Sequence, residues 1–141
     1  EAHATARFAA TATPDQIRQL MIALEGFEQA LSEPMPQRLL VDHARVFFDL
    51  ILDGCANQVI CDVLRGLTAR ISMLRSKSMS LSGRAVDSAK EMRAIAEAIA
   101  KHDPDMAQAA AKNHVCSARN AAQQVLEKQM TARPSALRKT D

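Results

Sequence analysis

Tryptophan and tyrosine are missing from this sequence altogether, and aromatic residues make up only 3% of it. Turn-formers are scarce too, with four Gly and five Pro. So few aromatic, β-branched and turn residues argue against a sheet-rich fold, while the abundant Ala, Leu, Met, Gln and Arg are helix formers. The fold class expected is all-α. Three cysteines, Cys55, Cys61 and Cys116, form no CxxC pair, and the chain shows no apolar secretory segment. An odd count in that setting points to reduced thiols in a cytoplasmic protein, serving as small packing residues rather than nucleophiles. No apolar run approaches the ~18–20 residues of a membrane-spanning helix. An excess of one charge is also lacking. The net charge is +2, and Lys and Arg alternate with Asp and Glu instead of clustering as phosphate binding requires. The densest basic run, Arg65 to Lys77, reads as a solvated or partly inward helix face. Enzyme signatures are missing as well: no Ser–His–Asp set, glycine-rich phosphate loop, HExxH or paired-carboxylate motif occurs. His114 and Cys116 lie two residues apart, so on a helix they point apart and form no dyad. The chain is expected not to be an enzyme.

What is present is a chain of 141 residues, 48% hydrophobic and 24% charged. That suffices for one domain burying roughly two-thirds of its unfolded surface. Apolar residues recur at three- and four-residue steps in six stretches. The first is Ala-rich, Glu1 to Ala10. Thr13-Pro14-Asp15 starts the second, with Thr as cap and Pro at the first helical position; Pro34 and Pro36 end it. The third covers about Gln37 to Asp53, and Asn57 caps a fourth that reaches about Met79. The fifth spans about Arg84 to Lys101. Asp103-Pro104-Asp105 starts the sixth, which continues to about Met130. The expected architecture is a single antiparallel bundle of about six helices over 1–131. Residues 132–141 lose the periodicity and form a basic tail expected to fray.

Four segments, in order, carry a resemblance to a known family. Glu1 to Asp15 (EAHATARFAATATPD) is similar to a Glu-initiated, Ala-rich helix ending in Thr-Pro-acid. Phe47 to Asn57 (FFDLILDGCAN) is similar to FHxxLxxASGN, and Glu91 to Asp103 (EMRAIAEAIAKHD) to EHRAIxxAIxxGD. Met106 to His114 (MAQAAAKNH) leads into a long last helix. Together they resemble the effector-binding FCD domain of FadR-subfamily GntR transcription regulators. The resemblance implies a ligand-sensing, homodimerising helical domain joined to an N-terminal winged-helix DNA-binding domain. Effector binding in the bundle would then modulate operator binding. The chain opens on Glu1 rather than Met, inside a helical pattern, so the DNA-binding domain is expected to lie outside these 141 residues.

The resemblance also implies a divalent-metal site of one Asp and three His, the Asp and first His four apart on one helix face. Those positions fall here at Ala44, Phe48, Met92 and His114, and only His114 is retained. Phenylalanine and alanine offer no donor, and methionine suits borderline ions poorly. Asp42, His43 and Asp49 sit off that face at about 100° per residue; His43 reaches it only through a kink. No metal or other cofactor is therefore expected. Phe48 and Met92 make the cavity apolar, fitting a ligand with an apolar part or simply plugging the space. His114 is either a hydrogen-bonded core histidine or a partner for an acidic effector. Arginines are the further candidates, since guanidinium pairs with carboxylate bidentately. Arg45 adjoins the old ligand face and Arg93 follows Met92. Arg70 interrupts the apolar stripe of the fourth helix, where it either snorkels outward or meets a buried anion. The expected ligand-binding set is Arg45, Phe48, Arg70, Met92 and His114, for an organic acid or a ligand with an apolar part. The alternative is a collapsed pocket in a purely structural dimerisation domain.

Overall fold

Helix starts follow the local chemistry of the chain. The computed structural model describes residues 1–132, arranged as α1 (Ala2–Thr11), α2 (Pro14–Leu31), α3 (Gln37–Gly54), α4 (Gln58–Gly66), α5 (Thr68–Met79), α6 (Arg84–Ala100) and α7 (Pro104–Ala132), with no strand among the described residues. Thr13 and Gln16 form a reciprocal capping box at α2: the Gln16 N–H donates to Thr13 Oγ1 at 3.3 Å, and the Thr13 N–H to Gln16 Oε1 at 2.8 Å. Asn57 Oδ1 accepts from the Ile60 N–H at α4, and Asp103 Oδ1 from the Met106 N–H at α7. Each cap satisfies an amide that the helix itself leaves without a partner. Of the expected tail, Ala132 closes α7 and the rest lies outside the described residues.

Among the described residues seven helices stand where six were expected. The long fourth helix breaks at Leu67, whose N–H turns back to the Leu64 and Arg65 carbonyls. Gly66 supplies the weak point, because glycine in a helix interior costs about 1 kcal/mol relative to alanine.

α1 lies at the centre, packed on α7, α6 and α3; α2 covers α3 and α6, and α5 lies against α7 and α3. The core joins Phe8 of α1, Leu20, Leu24 and Phe27 of α2, Phe47 and Ile51 of α3, and Met92, Ile95 and Ile99 of α6. α4 stands apart. Cys55 and Cys61 form a separate small cluster with Ala4, backed by Leu52, Ile60 and Leu64. Val59, Val63 and Leu67 are exposed. The apolar arc of α4 is wider than the strip it buries, so periodicity could not tell which part of the arc faces inward. On α7 Met106 is exposed while its neighbour Ala107 is buried, and on α6 Val86 is exposed while Ala89, three positions on, is buried.

Candidate functional site

The four positions at which the resemblance implies metal ligands all face inward. Ala44 and Phe48 on α3, Met92 on α6 and His114 on α7 are 0, 8, 0 and 4% exposed. The Phe48 ring meets Phe47 edge-on and stacks on the His114 imidazole, centroids 4.9 Å apart. His114 Nδ1 lies 2.8 Å from Glu91 Oε2, and Arg84 Nη2 donates to the same oxygen at 2.8 Å. Burial alone would raise the Glu91 carboxyl; the hydrogen bonds from His114 and Arg84, with the Arg84 charge, outweigh it and hold the group below the usual carboxylate range. Arg84 is itself buried, and its Nε and Nη1 have no hydrogen-bond partner among the described residues.

This donor set does not fit a divalent ion. Phe48 and Ala44 have nothing to offer, Met92 Sδ lies 3.9 Å from Ser88 Oγ, and one nitrogen of His114 is committed to Glu91. A closed metal site takes about four N, O or S donors. Among the described residues no cluster of three or more His, Cys, Asp or Glu stands ready to hold an ion. His43 offers no rescue: its ring turns toward Gly26 of α2, because 43 and 44 project about 100° apart.

A different cation occupies the same neighbourhood. Arg75 of α5 is 8% exposed, and its guanidinium carbon sits 4.7 Å from the Phe48 ring centroid, within cation–π range. Its Nη2 lies 3.4 Å from Glu1 Oε1. Burial pulls the guanidinium below its ordinary value, and the Glu1 carboxylate only partly offsets this. Two cavities meet at Arg75. One, about 40 Å³, is lined by Arg45, Phe48, Asp49, Leu52, Leu64 and Arg75 among others. The other, about 300 Å³, lies between α5 and α7, with apolar walls from Ile71, Leu74, Val115, Ala118, Ala122 and Leu126. Its polar groups are Glu1, Arg75, His114, Arg119 and Gln123.

Of the sequence-derived set, then, Phe48 and Arg45 line the smaller cavity and His114 the larger. Arg45 is half exposed, with Asp42 at 3.8 Å and Asp49 at 3.5 Å. The remaining two depart from expectation. Met92 is packed in the core and lines neither cavity. Arg70 is exposed and also lines neither; the break at Leu67 lets it point to water, which solvates a guanidinium without a buried partner. Arg93 is exposed and bidentate to Glu28 of α2. The arginine of α5 that does turn inward, Arg75, was overlooked although its spacing betrays it. On α5 it falls at three- and four-residue steps from Ile71, Ser78 and Met79, and buried Ser78 and Met79 share its face.

No helix among the described residues is long and apolar enough to cross a membrane. No curated protein matches the sequence. Residues 1–116 match the FCD domain, the regulatory domain of GntR-type transcription regulators, and the chain belongs to that family.

Proposed function

We propose that this chain is the effector-sensing and dimerising domain of a cytoplasmic GntR-type regulator, and that it binds an anionic small molecule carrying an apolar part. The observation that carries the reading is Arg75: a nearly buried guanidinium at the junction of two cavities, with one loosely placed carboxylate as counter-charge. An organic anion would pair with Arg75, lie beside His114, and lay its apolar portion between α5 and α7. No metal takes part, and the domain catalyses nothing. A winged-helix domain N-terminal to these residues would hold DNA, and an effector that favours one geometry of the bundle would shift operator affinity by the same coupling energy.

Thermal unfolding of the metal-free chain against fatty acids, acyl-CoAs, sugar acids and small dicarboxylates tests this. A ligand at 100 times its Kd stabilises by about 2.7 kcal/mol. Arg75→Met removes a charge-assisted hydrogen bond worth about 1.5–3 kcal/mol, weakening the hit roughly tenfold to a hundredfold, while Arg75→Lys retains part of it. Loss of binding in Arg70→Met but not in Arg75→Met would refute the assignment. Sedimentation equilibrium checks dimerisation. A second reading, a structural dimerisation domain with a collapsed pocket, draws on the Glu1–Arg75 pair and on the 40 Å³ of space beside Phe48; a screen with no hit favours it.

A further inference from the structure

We propose that Cys55 and Cys61 form a redox site, a buried dithiol that closes to an intramolecular disulfide and pins α4 against the end of α3. The two sulfurs lie 3.1 Å apart. Cys55 caps the C-terminus of α3 and Cys61 lies in the first half of α4, so a bond between them would staple the connection. A disulfide bond is about 2.05 Å long, so the two sulfurs close by about an ångström through side-chain rotation together with a shift of α4. α4 is free to make that shift. Its inward residues form a cluster of their own with the two cysteines, separate from the main core, and Val59 and Val63 on its outer side are exposed.

The chemistry balances with a small-molecule disulfide as oxidant. One cysteine thiolate attacks a sulfur of that disulfide and expels one small thiolate; the other attacks the protein-side sulfur of the mixed disulfide and expels the second. The protein loses two electrons and two thiol protons, and the small disulfide becomes two thiols. In the closed state the reaction is slow. Cys61 donates to the Leu52 carbonyl at 3.0 Å, and its hydrogen bond with Cys55, followed by burial, pushes its thiol up, so little nucleophilic thiolate is present. Oxidation proceeds when α4 lifts, and a groove of about 350 Å³ between α1 and α4, lined by Ala4, Ile60 and Leu64, already reaches the layer over the sulfurs. Leu64 and Leu52 also wall the smaller Arg75 cavity. Fixing α4 would therefore fix that wall, a consequence that rests on the effector reading; the disulfide itself does not.

The test incubates the full chain and its C116S variant with defined ratios of oxidised to reduced glutathione, then alkylates and analyses by intact mass and peptide mapping. The expected result is loss of two alkylatable thiols in both proteins, a mass lower by two hydrogens, one linked Cys55–Cys61 peptide, reversal by dithiothreitol, and slower amide exchange across 58–66. A glutathione adduct without a cross-link, or two thiols still reduced in the most oxidising mixture, overturns the proposal. The ligand screen is run on fully reduced protein, so a null result there leaves the disulfide measurement untouched, and the reverse also holds.

Discussion

Replacing Glu91 by Leu should be the most damaging single change near the candidate site. One oxygen of Glu91 accepts from both Arg84 and His114 at 2.8 Å. Arg84 is 6% exposed, and its Nε and Nη1 have no partner among the described residues. Removing the carboxylate strands a buried guanidinium, which costs about 3–5 kcal/mol. The Glu91 side chain is 14% exposed, so some water reaches the pair and the lower end applies. On a domain stable by about 5–15 kcal/mol, that lowers Tm by roughly 10 °C. The double variant R84M/E91L should recover most of the loss, because an apolar pair of similar volume tolerates the dry site. Urea unfolding followed by far-UV circular dichroism measures all four corners of this cycle. The sign with pH follows from the depressed carboxyl. Its contribution is complete above the unfolded value of about 4.3 and is lost as pH falls through the lower folded value, so the gap between wild type and E91Q should be constant above about pH 5 and close below pH 4. A cost under about 1 kcal/mol for E91L, the size of one ordinary hydrogen bond, would refute the reasoning, as would a double variant no better than the single.

Other changes follow from local geometry. At Gly54 an added Cβ would lie 2.2 Å from Cε2 of buried Phe8, so G54A should cost about 1–3 kcal/mol in denaturant unfolding. Ala56, two residues on, holds φ +51°, where the family pattern has Gly; A56G should stabilise by about 1 kcal/mol, the relief of left-handed strain less the entropy of glycine. His102 also stands at a family Gly position with φ +52°. Its N–H bonds the Ile99 carbonyl and the Asp103 N–H bonds the Ala98 carbonyl, the Schellman pattern that favours glycine, while its Nδ1 lies 3.0 Å from the Ala9 carbonyl oxygen. H102A, losing that contact and keeping the strain, should cost about 1 kcal/mol, whereas H102G should be near neutral by thermal unfolding.

The elements that the chain announces are those whose signal is local. Thr13-Pro14, Asn57 and Asp103-Pro104 cap helices because their side chains reach amides three residues away, a contact any sequence window contains. The inward direction of Ala44, Phe48, Met92 and His114 came from the resemblance, which sets metal ligands at those four positions, and the structure buries all four. What periodicity could not deliver was the orientation of α4 and α5. The apolar arc of α4 is wider than the strip it buries, α5 carries apolar residues on more than one side, and the break at Leu67 resets the phase between them. Arg70, which interrupts the apolar stripe read from the sequence, therefore faces water, while Arg75, followed by Ser76 and Lys77, is buried. The Arg84–Glu91 pair, two turns apart on α6, was overlooked because a charge at that spacing reads equally as a solvated face.

Where the resemblance implies metal ligands that this chain does not have, the site can still present a positive charge. Ala44, Phe48 and Met92 strip the site of donors, yet the Phe48 ring that replaces a ligand is the surface on which the Arg75 guanidinium rests, 4.7 Å from its centroid. An aromatic face suits a weakly hydrated, planar cation, and a guanidinium presents two parallel N–H groups to a carboxylate without metal chemistry. Under the proposed function this exchanges an ion that a chelator removes for a charge that is covalently fixed, so the ligand-induced stabilisation should be the same with and without EDTA. The aromatic support should matter separately from the charge. Phe48→Leu keeps an apolar wall but removes the π face, and should weaken an anionic ligand by about 0.5–1 kcal/mol or more, a twofold to fivefold rise in Kd by titration calorimetry, with Arg75 still in place. If F48L binds as tightly as wild type while F48H, with zinc supplied, binds far more tightly, the cation at Arg75 is not what the effector meets.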